Sequence, residues 1–172
     1  MHAIEYADKL RDTATERQLA KDLRALPEED RFGFILEMLE IDLLVALKLA
    51  NACLRRRDLL TRLLEHGIAR ANDLSIIKHW LEHLVPRLGA KRVIAVLREQ
   101  LDAHPFGVGS ALYHMLPYIQ KEDTAAGSAF RELYTAASQK GVRLPELHGF
   151  FRDLGDSGVG SPGTSEATTP VG

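Results

Sequence analysis

The chain has 172 residues, of which 45% are hydrophobic and 27% charged, and its formal net charge is −2. This length suits one soluble domain, since domains typically run about 100–200 residues, and the slightly acidic charge argues against a generic binder of nucleic acid or anionic membranes. The single cysteine, Cys53, excludes a disulfide within the chain and a zinc site built from several cysteines. No signal-peptide core or membrane-spanning run stands out, so we expect a cytoplasmic protein that contacts no membrane. No cofactor-binding fingerprint stands out either, so we expect the protein to use no cofactor.

Leucines recur at helical spacing and no stretch alternates with period two, which predicts an all-α fold. Residues 1–26 are polar and predict short N-terminal helices. The stretch DTATERQ contains two overlapping capping boxes, and a helix that begins there places Leu19, Leu23 and Leu26 on one face.

Residues 27–54 are the most apolar part of the chain and predict one central helix, with Pro27 at its first turn. In a continuous helix the polar residues would share one narrow stripe, with Asp42 as the exception. Asp42 would project from the opposite side, among leucines and phenylalanines. We therefore predict that Asp42 is a buried polar residue, either paired with an arginine of another helix or facing a cleft.

Glycines and prolines divide residues 55–154 into short amphipathic helices. One is predicted to begin after Asn72 and Asp73 and to end at Pro86, with Trp80 and its apolar neighbours in the core. The stretch HPFGVG, residues 104–109, predicts a loop before a helix capped by Ser110. The triple arginine of RRRD, residues 55–58, is predicted to contact the carbonyl end of the preceding helix.

The last predicted helix is PELHGFFRDL, residues 145–154, which begins with Pro145 and ends before Gly155. It presents Leu147, Phe150, Phe151 and Leu154 on one face. Residues 155–172 have almost no large apolar side chain and predict a disordered tail.

Helices of about three turns recur roughly every 17 residues, so that pairs recur roughly every 34, the scale of α-solenoid repeats. The stretches WLEHLVPRLG and YHMLPYIQ share an aromatic residue, a leucine and a proline in the same order. We therefore expect one domain over residues 1–154, in which residues 55–154 form a helical-hairpin array. The expected architecture resembles a right-handed HEAT or armadillo superhelix, and a globular multi-helix bundle is the alternative.

The stretch KHWLEHLVPR contains His79, Glu82 and His83, whose order H-x-x-E-H resembles the inverted zinc-peptidase motif. Two histidines at i and i+4 can meet one metal ion, and the glutamate can act as a base for zinc-bound water. No third ligand stands out in the sequence, so a metal site at His79 and His83, and with it a zinc hydrolase, remains a minor alternative.

The same region is basic, with Arg87, Lys91 and Arg92 close to the two histidines in sequence. We predict that His79, His83, Arg87, Lys91 and Arg92 form part of a partner-binding surface. The leading interpretation is a noncatalytic adaptor module that presents a helical surface to a protein or peptide, with no catalytic residue assigned. The alternative is a helical-repeat protein that contacts nucleic acid through Arg87, Lys91 and Arg92.

Overall fold

The structure is a computed structural model that describes residues 3–6, 13–119, 124–142 and 144. Over these residues the chain is helical without strands, which confirms the all-α prediction. The described residues form eight α-helices: α1 (Thr13–Arg24), α2 (Glu28–Leu39), α3 (Leu43–Cys53), α4 (Arg57–Ala69), α5 (Leu74–Leu88), α6 (Ala90–Gln100), α7 (Pro105–Met115) and α8 (Thr124–Gln139). Short 3-10 helices span Ala3–Tyr6 and Leu116–Tyr118. The helix predicted at 145–154 and the tail predicted at 155–172 lie outside the described residues.

The predicted central helix over residues 27–54 is wrong, because the chain breaks between Leu39 and Leu43 into α2 and α3. Asp42 is the N-cap of α3, with extended backbone (φ −150°), and its carboxylate accepts a hydrogen bond of 3.0 Å from the Val45 N–H. The side chain is exposed, so the prediction that Asp42 is buried is also wrong. Aspartate is among the preferred N-cap residues, and the break removes the charge from the apolar face on which a continuous helix would have placed it.

Helix packing follows the order of the chain. The helices α2 and α3, α4 and α5, and α6 and α7 contact each other within each pair. Contacts also connect helices two positions apart, joining α1, α3, α5 and α7 in one series and α4, α6 and α8 in another. The buried apolar side chains form one core that extends from Ala3 to Ala137. Trp80, Leu81 and Leu84 all lie in this core, as the sequence predicts.

Two helix ends differ from their predicted positions. Pro86 lies inside α5, which continues to Leu88 and ends at Gly89, a glycine in the left-handed region (φ 82°). The predicted loop at residues 104–109 is wrong, because α7 already begins at Pro105. Proline suits the first turn of a helix, where its missing N–H would have no partner within the helix. Ser110 consequently lies inside α7, where its hydroxyl donates to the Phe106 carbonyl at 2.9 Å.

Two glycines permit close approach of the central helices. The Trp80 ring of α5 lies over Gly67 of α4, where an added Cβ would be 2.7 Å from Cε3 and 2.8 Å from Cε2. Gly107 of α7 lies directly against the backbone of Ile68, whose carbonyl oxygen a Cβ would overlap. These two contacts fix α4, α5 and α7 at short separation. None of the helices within the described residues has the length and apolar character needed to cross a membrane.

Candidate interaction site

The predicted basic surface is divided by the fold, because Arg87 is used internally. Its guanidinium donates to the carbonyl oxygens of Asn51 and Leu54, each at 2.7 Å, at the C-terminal end of α3. Helix ends leave carbonyl groups without partners in the helix, and a cation there also complements the helix dipole. Arg87 therefore holds α5 against α3 and contributes a structural contact.

Two further arginines complete this arrangement at the end of α3. Arg31 donates to the Cys53 carbonyl at 2.9 Å, and Arg24 donates to the Ala52 carbonyl at 3.2 Å. The prediction that RRRD contacts the end of the preceding helix is not met by Arg56, whose side chain pairs with Glu29 and Asp58. The arginines that meet the α3 carbonyls come from α1, α2 and α5, which are distant in sequence.

Lys91 and Arg92 lie in the first turn of α6, and both side chains are exposed. Neither forms an ion pair with any residue in the part of the chain that the structure describes. Of the three basic residues predicted to act together, two are therefore available at the surface and the third is bonded to α3.

The two histidines of the H-x-x-E-H sequence lie on the solvent side of α5, each with a neighbour on its own helix. His79 Nδ1 is 3.2 Å from Glu82 Oε2, and Lys78 Nζ is 3.7 Å from the other oxygen of that carboxylate. His83 Nδ1 is 3.0 Å from the His79 carbonyl oxygen. Since a carbonyl only accepts, Nδ1 of His83 carries a proton and donates it to this hydrogen bond.

Glu82 is thus shared between two neighbours that are positively charged or able to become so. Burial raises the pKa of the Tyr118 hydroxyl, and the negative charge of Glu82 adds to this shift. Across residues 3–6, 13–119, 124–142 and 144, no three His, Cys, Asp or Glu side chains lie close enough together to hold a metal ion.

A groove of about 560 Å³ lies between the first residue of α5, one face of α7 and the residues that follow α8. Its volume falls within the range of about 300–1,000 Å³ found for ligand pockets. The described residues that line it include no charged side chain: Leu74, Pro105, Phe106, Gly109, Ser110, Tyr113, Val142 and Leu144. We call this feature the α5–α7 groove.

Three large apolar side chains of the groove are about half exposed: Leu74 at 53%, Phe106 at 52% and Tyr113 at 50%. Contiguous exposed apolar surface of this kind marks interaction sites in soluble proteins more often than scattered single residues do. Phe106 and Tyr113 lie seven residues apart on α7, with Gly109 and Ser110 between them on the same helical face.

One hydrogen bond and one ring contact hold the α5 and α7 walls of the groove in place. His114 Nε2 donates to the Leu74 carbonyl at 2.9 Å, which ties the end of α7 to the start of α5. The Tyr113 ring packs edge-on against the His114 ring, with centroids 4.9 Å apart. The groove is therefore a feature of packed helices, with one wall fixed to the other.

The third wall comes from the chain after α8. Gly141 has a left-handed backbone (φ 71°), its N–H donates to the Ser138 carbonyl at 2.9 Å, and the Val142 N–H donates to the Ala137 carbonyl at 3.0 Å. This pair of bonds is a Schellman motif, which ends a helix and turns the chain. The turn brings Val142 and Leu144 to the groove.

The sequence alone did not reveal the groove, because residues 104–109 were predicted to be a loop. A helix that begins at Pro105 puts Phe106, Gly109 and Tyr113 on one apolar face, and that spacing is the signal that could have indicated it. The third wall depends on α8 packing near α7, which no local pattern specifies.

Comparison of the chain with protein-family models, with curated proteins and with solved structures finds no significant match.

Proposed function

We propose that this protein is a noncatalytic interaction module that binds a protein partner in the α5–α7 groove. The observation that carries the proposal is the concentration of Leu74, Phe106 and Tyr113, each about half exposed, around one uncharged groove. Aromatic residues are enriched among the side chains that dominate binding energy at interfaces. The groove takes its lining from α5, α7 and the residues after α8, whereas the surface predicted from the sequence contains His79 and His83.

The partner chemistry follows from the lining. A groove without charged side chains gains little from a charged ligand and most from burial of apolar area, at about 25 cal/mol per Å². An amphipathic helix whose apolar residues recur at i, i+3, i+4 and i+7 has the matching shape. We propose such a segment of a cytoplasmic protein as the ligand.

We propose that the helices form a HEAT- or armadillo-like array. The packing of helices two positions apart, in the series α1, α3, α5, α7 and the series α4, α6, α8, supports this architecture. In such arrays each repeat contacts its neighbours, and the outer helices present an extended surface to another macromolecule. The groove lies at the α7 end of the first series.

The nucleic-acid alternative has weaker support, since Arg87 is bonded to Asn51 and Leu54 and leaves Lys91 and Arg92 alone. The zinc-hydrolase alternative has no third ligand beside His79 and His83 among the described residues. Neither alternative forms part of the proposal.

Quantitative affinity purification from the protein's native cells tests the proposal. The wild-type chain is compared with a groove variant, Phe106→Asp/Tyr113→Asp, and a control variant, Leu44→Asp. Leu44 lies in the first turn of α3, outside the groove, and is 45% exposed, so the control introduces one such carboxylate at a similarly exposed apolar site.

We expect the wild type and the control to retain one or more proteins. The amount of these proteins captured by the groove variant should be at least about tenfold lower, because loss of an interface hot spot weakens binding by about 2 kcal/mol or more. Circular dichroism of the three chains checks that each is folded. Equal capture by the wild type and the groove variant would refute docking in the groove.

A further inference from the structure

The chain itself carries a segment with the pattern that the groove should accept. In PELHGFFRDL the apolar residues Leu147, Phe150, Phe151 and Leu154 stand at i, i+3, i+4 and i+7. At about 100° per residue they fall within one third of a helical turn, and the charged residues fall on the other side. A helix over this segment would therefore have one apolar face, which requires a partner surface.

The described part of the chain reaches the groove immediately before this segment. Leu144 lines the groove, and the segment begins at the next residue, Pro145. The Schellman turn at Gly141 sets the direction in which the chain leaves α8. No linker separates the segment from the groove, so its local concentration there is in the range of about 1 mM or above.

We propose that residues 145–154 dock in the α5–α7 groove of their own chain, with Phe150 and Phe151 against Phe106 and Tyr113. The segment then acts as an internal competitor that a partner helix must displace. This inference rests on the proposed function for the identity of the competing partner, but the docking itself can be measured without one.

The size of the competition follows from the local concentration. If the isolated segment binds the groove with a Kd of about 0.1 mM, a local concentration of about 1 mM leaves the groove free in roughly one tenth of the molecules. The apparent affinity of any external ligand is then reduced about tenfold, because it is divided by the fraction of free groove.

The test uses three full-length chains. The wild type is compared with a segment variant, Phe150→Asp/Phe151→Asp, and a control variant, His148→Asp/Gly149→Asp. Both variants introduce two carboxylates into the same segment, one pair on its apolar face and the other on its polar face. Any general effect of charge on the segment is therefore matched.

The first readout is the chemical shift of the Leu74 methyl groups, which ring currents of docked phenylalanines displace. We expect the shifts to change in the segment variant and to match the wild type in the control. Identical Leu74 shifts in all three chains would overturn the proposal. A wild-type shift that varies with protein concentration, together with a dimer in light scattering, would assign the groove to a second copy and also overturn it.

The second readout is binding of a fluorescein-labelled peptide with the sequence of residues 145–154, followed by anisotropy. The peptide should bind the segment variant about tenfold more tightly than it binds the wild type or the control. Equal affinities for the three chains would contradict docking in cis. A peptide with both phenylalanines replaced by aspartate should bind none of them.

Failure of this inference and failure of the proposed function are distinguishable. If the Leu74 shifts are unchanged but cellular partners still depend on Phe106 and Tyr113, the groove binds partners without an internal competitor. If the segment docks but affinity purification with the segment variant, whose groove is open, yields no groove-dependent protein, the proposed function fails and the internal contact stands.

Discussion

Replacement of Gly107 by alanine tests the packing that positions the groove. A Cβ at Gly107 would overlap the carbonyl oxygen of Ile68 and lie 3.1 Å from both the carbonyl carbon and Cγ2 of that residue. To restore ordinary contact, α7 and α4 must separate by roughly 1 Å, and such a gap removes a quarter to a half of the dispersion energy of the surrounding contacts. The obstacle is backbone, so no side-chain rotation relieves it.

The expected loss is worked out from two opposing effects. Overpacking against a rigid neighbour lowers the free energy of unfolding by about 3 kcal/mol, at the upper end of the usual range. Alanine returns at most about 1 kcal/mol through its higher helix propensity. The net destabilisation of Gly107→Ala is therefore about 2 kcal/mol, or a fall in Tm of about 4–8 °C for a domain of this size.

Gly33→Ala in α2 is the matched control, because nothing lies within 4 Å of a Cβ at that position. Only the propensity effect applies there, so Gly33→Ala should be stabilised by about 0.5–1 kcal/mol. Urea unfolding followed by far-UV circular dichroism measures both variants. If Gly107→Ala unfolds at the same urea concentration as Gly33→Ala, the close contact between α7 and α4 does not exist as described.

Three further predictions concern the helix ends and the buried thiol. Arg87→Met should lower the free energy of unfolding by about 2 kcal/mol, since hydrogen bonds from charged donors contribute about 1.5–3 kcal/mol. The control Lys91→Met should change the free energy of unfolding by less than about 0.5 kcal/mol. Equal urea midpoints for the two variants would contradict the contact between Arg87 and α3. The pKa of Asp73 is lowered because the Ser75 N–H and then its hydroxyl donate to the carboxylate, so the stabilisation is present above the unfolded pKa and lost as pH falls through the lowered folded pKa. Asp73→Ala should accordingly melt below the wild type at neutral pH and together with it in strong acid; a constant difference at all pH values would count against this cap. Cys53 is buried, and burial also raises the pKa of its thiol. A thiol reagent should therefore label Cys53 at the rate at which the chain unfolds. Rapid labelling of the folded chain would show that the thiol is accessible.

The sequence was sufficient where local chemistry decides the structure. The start of α1 at Thr13 and the apolar face around Trp80 both depend on residues a few positions apart. It was insufficient where two local preferences compete. The apolar run over residues 27–54 favours one helix, and Asp42 as an N-cap favours a new one; only tertiary packing decides between them.

The predicted basic surface is divided for a related reason. Arg87, Lys91 and Arg92 are close in sequence, but whether a cation is free depends on which carbonyl groups the fold brings to it. The end of α3 meets Arg87 from α5, thirty-three or more residues away, and no local pattern records that meeting. Charged residues at the end of a helical segment therefore indicate a surface only after the distant helix ends have been placed.

Phe106 and Gly107 show why the groove and the fold can be separated by experiment. They are consecutive in the first turn of α7, yet Gly107 faces α4 without space for a methyl group and Phe106 is 52% exposed in the groove. A half-exposed phenylalanine contributes little to the helix core, so Phe106→Asp should lose groove binding and lower the urea midpoint by less than Gly107→Ala does. Gly107→Ala should lower the midpoint with Phe106 still present. If Phe106→Asp instead unfolds as readily as Gly107→Ala, the side chain belongs to the core, and the apolar groove is a consequence of packing that offers no surface to a partner.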